Sequence, residues 1–251
     1  MSRSLNKNAL NTIENLTRAE RWVNRPARPC TRHHSSRTTT TDVFSHPASA
    51  KYLTSATDAA RLPSCGGLPE IVVTGRANVG KSTLMNAVMG RVNLCLTSKK
   101  AGRTQMLNFF RIGPEPGKLV LVDAPGYGDR GRQEWGALFD QYLQTRTELR
   151  RVFVCVNGTH GLNDHDRAML QQLDAQCQAS GGTRWTLQAI ITKADALAKA
   201  KNGRGLVAQI QHAVFEAAPT CLPAIVTAAA REPHFGIDEV RNSVAEACAL
   251  R

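Results

Sequence analysis

The chain has 251 residues and a formal net charge of +12, and 42% of its residues are hydrophobic. No apolar run approaches the ~18 residues that a membrane-spanning helix needs, so we expect no integral membrane segment. The excess of Lys and Arg favours anionic partners, nucleic acid above all. The seven cysteines stand singly, without the spacing of a zinc site, which indicates reduced thiols in a non-secretory compartment.

Residues 1–62 are predicted to be a basic, mostly disordered extension that precedes a globular domain at 63–251. The extension has ten Lys or Arg against four acids, and apolar residues recur near its start at roughly helical spacing. This composition is typical of a mitochondrial presequence followed by a linker, so we expect a location in the matrix. Glu14 and Glu20 count against that interpretation, because such peptides are poor in acids. The alternatives are a basic arm that contacts RNA and a cytoplasmic location.

A glycine-containing segment at 75–82, Gly-Arg-Ala-Asn-Val-Gly-Lys-Ser, lies between a predicted strand at 70–74 and a predicted helix at 81–90. Its glycines let backbone N–H groups turn toward phosphate oxygens, and the helix N-terminus adds partial positive charge. In this arrangement Lys81 reaches the β- and γ-phosphates and the Ser82 hydroxyl binds Mg²⁺. The segment therefore predicts a site for a nucleoside triphosphate.

A polar, basic loop at 97–105 precedes a predicted strand at 107–112. Such a loop can fold over the γ-phosphate, with a threonine hydroxyl and carbonyl completing the Mg²⁺ shell. Thr104 is the candidate because it lies just before the strand. The alternative is an ordinary surface loop.

The residues Asp-Ala-Pro-Gly at 123–126 begin at the last position of a predicted buried strand at 118–123. Asp123 is placed to hold Mg²⁺ through water, and Gly126 allows its backbone N–H to approach the γ-phosphate. Only the short turn at 113–117 separates this strand from the one before it, which predicts an antiparallel pair.

The residues Thr-Lys-Ala-Asp at 192–195 follow a predicted strand at 186–191. The Asp195 carboxylate can accept two hydrogen bonds, from guanine N1–H and the 2-amino group, whereas adenine offers no such pair of donors. Lys193 can lay its alkyl stem along the base plane. Asp195 can also cap the helix that follows, since Asp is favoured at that position.

The remaining predicted elements continue an alternation of helices and strands. They are helix 134–148, strand 151–157, helix 163–179, helix 195–217, strand 223–227 and helix 236–249. This order predicts an α/β fold, a doubly wound sheet of about six mostly parallel strands with one antiparallel strand and helices on both faces. The polar motifs then share one crevice at the carboxyl edge of the sheet, where the backbone at 227–229 could meet guanine O6. Residues 128–134 lack apolar periodicity and are predicted to be mobile.

From about Leu68 to Ile237 the chain resembles the EngB/YihA family of TRAFAC-class GTPases. The similarity is carried by Gly-Arg-Ala-Asn-Val-Gly-Lys-Ser, by Ala-Gly-Arg-Thr-Gln with the nearby Asn-Phe-Phe, by Asp-Ala-Pro-Gly-Tyr-Gly and by Thr-Lys-Ala-Asp. The resemblance implies a Ras-like P-loop GTPase fold, GTP hydrolysis and a role in assembly of the large ribosomal subunit. With the basic N-terminus it implies a mitochondrial, monomeric member whose partner is rRNA or a large-subunit precursor. The alternatives are a GTP-occupied scaffold with little hydrolysis and a P-loop phosphotransferase.

The resemblance also implies which residues form the site. The nucleotide-contacting residues are Gly75, Arg76, Ala77, Asn78, Val79, Gly80, Lys81, Ser82, Thr83, Gly102, Arg103, Thr104, Gln105, Met106, Asp123, Ala124, Pro125, Gly126, Thr192, Lys193, Ala194, Asp195, Val226, Thr227 and Ala228. The Mg²⁺ ligands are Ser82, Thr104 and Asp123, and the residues expected to act in hydrolysis are Lys81, Thr104 and Asn78. The last segment departs from the family pattern, because a longer turn precedes Gly236.

Tyr127 stands where many GTPases place a glutamine that orients the attacking water. We therefore expect slow intrinsic hydrolysis that needs a partner or an ion. Asn78 matches the position at which related GTPases bind K⁺, which could neutralise charge in the transition state. The alternative charge donors are Arg76, Arg103, Arg130 and Arg132.

Overall fold

The computed structural model describes residues 43–95, 106–127, 133–198, 200 and 202–250. The strands are β1 (Lys51–Ala56), β2 (Glu70–Gly75), β3 (Leu107–Ile112), β4 (Leu119–Asp123), β5 (Leu149–Asn157), β6 (Thr186–Thr192) and β7 (Leu222–Val226). The helices are α1 (Lys81–Met89), α2 (Gln133–Thr145), α3 (Asp164–Ala179), α4 (Ala194–Leu197), α5 (Gly203–Ala217) and α6 (Ile237–Ala247), with short 3₁₀ helices at Pro47–Ser49 and Ala59–Arg61. None of the helices within these residues has the length and apolarity that crossing a bilayer requires.

The strands form one twisted sheet in the order β1-β3-β4-β2-β5-β6-β7. All neighbours are parallel except that β3 runs antiparallel to both β1 and β4. The reversal between β3 and β4 is a tight turn, in which the Gly117 N–H donates to Pro114 O at 2.7 Å and the Lys118 N–H donates to Ile112 O at 2.8 Å. The doubly wound α/β fold and its single antiparallel strand are confirmed.

The sheet has one strand more than predicted. Strand β1 lies within the segment 1–62 that the sequence assigns to the extension, yet it pairs with β3 at the edge of the sheet. Val43, Phe44 and Ala50 ahead of it are buried in the core. The prediction of an extension is therefore wrong for residues 51–56, because an edge strand held by backbone pairing shows little alternation of apolar residues. Residues 1–42, the larger part of the predicted presequence and linker, lie outside the described part of the chain.

Helices cover both faces of the sheet and form two cores. On one face α1 and α6 pack against the sheet around Leu84, Met85 and Val244. On the other face α2, α3 and α5 pack around residues such as Tyr142 and Leu173. Because both faces of the central strands are covered, β2 is buried at every residue and β5 at every residue except Arg150, as their continuous apolar runs indicate.

The predicted helix 195–217 is two helices rather than one. The short α4 ends at Leu197, and α5 begins only at Gly203 after Asn202. A Cβ atom at Gly205 would stand 2.5 Å from the Asn202 Oδ1 atom, so the start of α5 is closely packed. Asn and Gly are weak helix formers, and their clustering at 202–205 is the sequence signal for this break.

A buried ion pair joins the far end of the sheet to α2. The Glu70 carboxylate accepts hydrogen bonds from the Tyr142 hydroxyl at 2.8 Å and from the Arg146 guanidinium at 2.6 and 3.1 Å. Arg146 also donates to the Pro63 carbonyl at 2.7 Å, which holds the chain entering β2. Because both carboxylate oxygens of Glu70 accept hydrogen bonds, its charge is tolerated in the core.

Candidate functional site

The phosphate loop turns between β2 and α1 with a backbone that depends on two residues in the left-handed region. Asn78 has a φ of 60° and Gly80 a φ of 109°. At the start of the loop, a Cβ on Gly75 would stand 2.8 Å from the Cβ of Cys155 in β5, so only glycine fits there. The Leu84 N–H donates to Gly80 O at 2.9 Å and starts α1 directly from the loop. The geometry is that of a main-chain cradle at a helix N-terminus.

Lys81 and Asp123 meet at the centre of the crevice. Lys81 is the first residue of α1 and Asp123 the last of β4, and both side chains are buried. The Lys81 ammonium forms an ion pair with Asp123 Oδ1. The fold thus brings together Lys81, predicted to contact the β- and γ-phosphates, and Asp123, predicted to hold the metal.

The turn after β4 lies directly on the phosphate loop. The Ala124 N–H donates to Val73 O at 3.0 Å, which continues the parallel pairing of β4 with β2. A Cβ on Gly126 would stand 3.2 Å from Ala77 N and 3.3 Å from Gly75 O, so the backbone of this turn lies against the phosphate loop. This brings the Asp-Ala-Pro-Gly motif and the phosphate loop together.

Tyr127 turns its side chain away from the crevice. Its ring packs against the core on the α2 and α3 face, and its hydroxyl donates to Asp166 Oδ1 at 2.9 Å. Burial, followed by the charge of Asp166, raises the pKa of the Tyr127 hydroxyl well above its ordinary value, so this hydroxyl remains a donor. Arg76 Nη1 of the phosphate loop lies 4.0 Å from the other oxygen, Asp166 Oδ2. Arg76 is thereby drawn toward Asp166.

The Thr-Lys-Ala-Asp motif is bonded to the phosphate loop from the opposite side. The Thr192 hydroxyl donates to Val79 O at 2.6 Å, and Lys193 Nζ donates to Asn78 O at 2.8 Å. Lys193 has a φ of 60°, which directs the chain from β6 into α4. Asp195 lies in the first turn of α4, half-exposed, and within the described residues its carboxylate has no hydrogen bond or ion pair. That carboxylate is free to accept hydrogen bonds from a ligand.

The segment after β7 is arranged differently from the prediction. The Thr227 N–H donates to Ile191 O at 2.7 Å, and the Ala228 N–H donates to Phe235 O at 3.0 Å. Both amides are therefore engaged, which disagrees with their predicted contact with guanine O6. The pairing of Ala228 with Phe235 closes the long turn at 229–234, and this is the physical reason for the difference. Among Thr227, Ala228 and Ala229, only Ala229 has a backbone N–H with no acceptor within the described residues.

Part of the predicted site falls outside the described residues. Gly102, Arg103, Thr104 and Gln105 belong to this part, as do the alternative charge donors Arg130 and Arg132. Met106 is described and leads into β3. Cys95, just ahead of the polar loop at 97–105, is held by Asn86 of α1. The Asn86 side-chain amide exchanges two hydrogen bonds with the Cys95 backbone, at 2.8 and 2.9 Å.

Comparison with known proteins decides the family. The family described as "50S ribosome-binding GTPase" matches residues 70–184. A protein of Rhodopseudomonas palustris named "Probable GTP-binding protein EngB" is 37% identical over 188 residues, which are 73% of this chain and 82% of that protein. The chain belongs to the EngB family. An EngB protein of Rhodospirillum rubrum is 41% identical over 141 residues, which cover 53% of this chain and 58% of that protein. As an EngB protein, the chain is a GTPase.

Solved structures show the same fold at lower identity. A crystal structure of Era in complex with MgGDPNP and nucleotides 1506–1542 of 16S ribosomal RNA has a TM-score of 0.53 and 20% identity, covering 71% of this chain and 56% of Era. Aquifex aeolicus Era bound to GDP.AlF4⁻ gives the same TM-score at 22% identity over the same fractions. The EngB chain thus has the Ras-like P-loop GTPase fold.

Sequence reasoning missed Asp166, which contacts both the phosphate loop and the residue after Gly126. A signal was available, because Asn163 and Asp166 have the spacing of a capping box at the start of a helix. The structure contains that box, with the Asp166 N–H donating to Asn163 Oδ1 at 2.9 Å and the Asn163 N–H donating to Asp166 Oδ2 at 3.1 Å. The contact with Tyr127 spans 39 positions, and no local pattern predicts it.

Proposed function

We propose that this EngB chain is an assembly factor for the large ribosomal subunit that binds its partner according to the bound guanine nucleotide. The observation that carries the proposal is the joining of three motifs, the phosphate loop, Asp-Ala-Pro-Gly and Thr-Lys-Ala-Asp, around one crevice in a member of the EngB family. The matching family is described as "50S ribosome-binding GTPase", and the net charge of +12 suits a partner rich in phosphate.

We infer that GTP lies with its phosphates on the loop between β2 and α1 and with guanine at Asp195. Lys81 contacts the β- and γ-phosphates, and the free Asp195 carboxylate accepts the two donors of the guanine edge. The ammonium of Lys193 is held at the Asn78 carbonyl, which places its alkyl stem beside the base. ATP lacks the matching pair of donors and would leave Asp195 desolvated without partners.

The residues at the phosphate end fit Mg²⁺. Ser82, in the first turn of α1, and Asp123, at the end of β4, offer oxygen ligands of the type this ion prefers. No cluster of three or more His, Cys, Asp or Glu residues capable of holding a metal occurs in the described part of the chain. Such a sparse set suits an ion that takes further oxygens from water and phosphate. When bound, Mg²⁺ would neutralise charge on the β- and γ-phosphates.

Hydrolysis by the isolated chain is proposed to be slow. The Tyr127 side chain is bound to Asp166 and offers no amide to orient water. Asn78 is exposed at the tip of the phosphate loop and makes no side-chain hydrogen bond within the described residues, which leaves its amide available for K⁺. Turnover measured in KCl and in NaCl, without ribosomal particles, tests this role. Faster turnover in KCl is expected, and equal rates would remove the potassium proposal.

The partner is tested by co-sedimentation. The full chain, loaded with a non-hydrolysable GTP analogue or with GDP, is centrifuged with ribosomal subunits and their precursors. We expect the analogue-bound chain to sediment with large-subunit particles, and the association to weaken steeply with salt. Equal binding with both nucleotides, or an association insensitive to salt, would contradict the proposal.

Mitochondrial targeting is proposed for residues 1–42, which hold eight Lys or Arg against three acids. The test is the location of a fluorescent fusion of the full chain beside one that lacks residues 1–42. Matrix import that requires residues 1–42 is expected. An unchanged cytoplasmic location of both fusions would favour the alternative.

The second candidate function is a GTP-occupied scaffold that barely hydrolyses its ligand. It is favoured by the same engagement of Tyr127 with Asp166. Single-turnover decay of bound GTP, with and without large-subunit precursors, separates the two. Acceleration by the precursor supports a cycling factor, and no acceleration supports a scaffold. A phosphotransferase is not supported, because the chain is a GTPase of the EngB family.

A further inference from the structure

Asp166 is a buried carboxylate at which two parts of the GTPase site, the phosphate loop and the turn after β4, meet the start of α3. It is the third residue of α3 and is only 1% exposed. Oδ1 accepts the Tyr127 hydroxyl at 2.9 Å, Oδ2 accepts the Asn163 N–H at 3.1 Å, and Arg76 Nη1 lies 4.0 Å from Oδ2. A capping box needs only the contact with Asn163, so capping does not explain the other two.

Arg76 and Tyr127, whose side chains reach Asp166, also contact each other through their backbones. Arg76 and Tyr127 form an isolated parallel bridge between the phosphate loop and the turn after β4. Gly126, which precedes Tyr127, lies against the phosphate loop so closely that a Cβ there would stand 3.2 Å from the Ala77 nitrogen. The position of Gly126 relative to the loop is therefore fixed at Tyr127, by its backbone and by its hydroxyl.

We propose that Asp166 and Tyr127 are positioning residues that hold the Gly126 amide in place for the γ-phosphate, and so raise the affinity of the site for GTP relative to its affinity for GDP. The inference rests on the proposed placement of the γ-phosphate at Gly126, and it does not depend on the ribosomal partner. GDP has no γ-phosphate and makes no use of this amide. If the anchor is lost, the Gly126 segment populates other positions, and only ligands that require its ordered position bind more weakly.

The test is the ratio of two dissociation constants, that for GDP divided by that for a β,γ-imido analogue of GTP, both with Mg²⁺. Tyr127→Phe removes the hydroxyl and keeps the ring, and Asp166→Asn removes the charge and keeps an oxygen for the cap. We expect Tyr127→Phe to lower the ratio about tenfold, the effect of a lost hydrogen bond to a charged group, with GDP affinity nearly unchanged. Asp166→Asn is also expected to lower this ratio of dissociation constants.

The matched control is Asn163→Ala, which breaks the other half of the capping box and leaves the Asp166 carboxylate facing Tyr127. It should lower the melting temperature as the other variants do but leave the ratio at the wild-type value. An unchanged or increased ratio in Tyr127→Phe and Asp166→Asn, or an equal loss in Asn163→Ala, would overturn the proposal.

A further variant separates the two inferences. Gly126→Ala perturbs the amide directly and must itself lower the ratio if the γ-phosphate lies there. If Gly126→Ala leaves the ratio unchanged, the placement of the phosphate is wrong, and the role of Asp166 falls with it. If Gly126→Ala lowers the ratio while Tyr127→Phe does not, only the positioning role is overturned.

Discussion

The ammonium group of Lys81 and the carboxylate of Asp123 form an ion pair inside the phosphate crevice, where the two sides of the nucleotide site meet. Each charge is buried and is neutralised by the other. Binding of Mg²⁺ and GTP is proposed to replace this pair, with Lys81 turning to phosphate and Asp123 to the metal. The same two residues thus serve the stability of the free protein and the binding of its ligand.

Replacing Lys81 with Met should weaken both the stability of the free protein and its affinity for GTP. We expect GTP affinity to fall about 100-fold, as for a lost charge-assisted contact, and the free energy of unfolding to fall by about 3 kcal/mol because Asp123 becomes a buried, unpaired charge. Calorimetric titration and chemical denaturation measure the two effects. The same change at the exposed Lys118 is the control and should alter neither.

Adding Asp123→Asn to Lys81→Met tests the cause of the instability. The double variant should regain much of the lost stability without regaining GTP binding, since the unpaired charge is gone but the phosphate contact is not restored. A double variant less stable than Lys81→Met alone would contradict the role assigned to the ion pair.

Gly236 should tolerate no side chain. Its φ is 72°, and a Cβ would stand 2.0 Å from Val226 O, the end of the strand that leads into the guanine segment. We expect Gly236→Ala to cost about 3 kcal/mol or more, from backbone strain and the clash together. Gly182 has a φ of 67° with nothing within 4 Å of a Cβ, so Gly182→Ala isolates the strain and should cost about 1 kcal/mol. Equal melting temperatures for the two variants would show that the close contact at Val226 is not maintained.

The start of the folded domain is testable by truncation. A chain that lacks residues 1–42 keeps β1 and the buried residues ahead of it, whereas one that lacks residues 1–62 loses them. We expect the shorter chain to be less stable by about 3 kcal/mol or more, because Val43, Phe44, Ala50 and Ala56 leave the core and β3 becomes an open edge. Thermal unfolding measures the difference. Identical unfolding curves would restore the boundary at 62.

The buried thiols should be unreactive in the native state. Burial raises the pKa of Cys155 and of Cys248 to about 12, against an ordinary value of 9.0. Because the folded-state pKa is the higher one, these thiols favour the folded state at neutral pH and this contribution is lost as the pH rises from about 9 toward 12. Iodoacetamide at pH 7.5, followed by peptide mass spectrometry, should label both only after denaturation. Rapid labelling of either in the native chain would contradict their burial.

Much of the fold could be predicted because the central strands are buried on both faces and appear as continuous apolar runs between Gly, Pro and Asp residues. The phosphate loop, Asp123 and Asp195 could be located because each lies at the carboxyl end of such a strand or within a few residues after it. The edge strand β1 could not, since its stability comes from pairing with β3, and its exposed residues show no periodicity. The contact of Tyr127 with Asp166 and the pairing of Ala228 with Phe235 depend on how distant elements pack, and the sequence carries no local signal for them.

The central claim is that one carboxylate, Asp195, selects guanine in this crevice, and an exchange of base specificity tests it most directly. Xanthine carries a carbonyl where guanine has its 2-amino group, so Asp195→Asn should prefer xanthosine triphosphate, with GTP affinity lowered about 100-fold or more. Asp164→Asn, the same change at an exposed acid in the first turn of α3, should leave the preference for GTP intact. If Asp195→Asn still binds GTP as tightly as the wild type and rejects xanthosine triphosphate, the guanine site does not lie at Asp195.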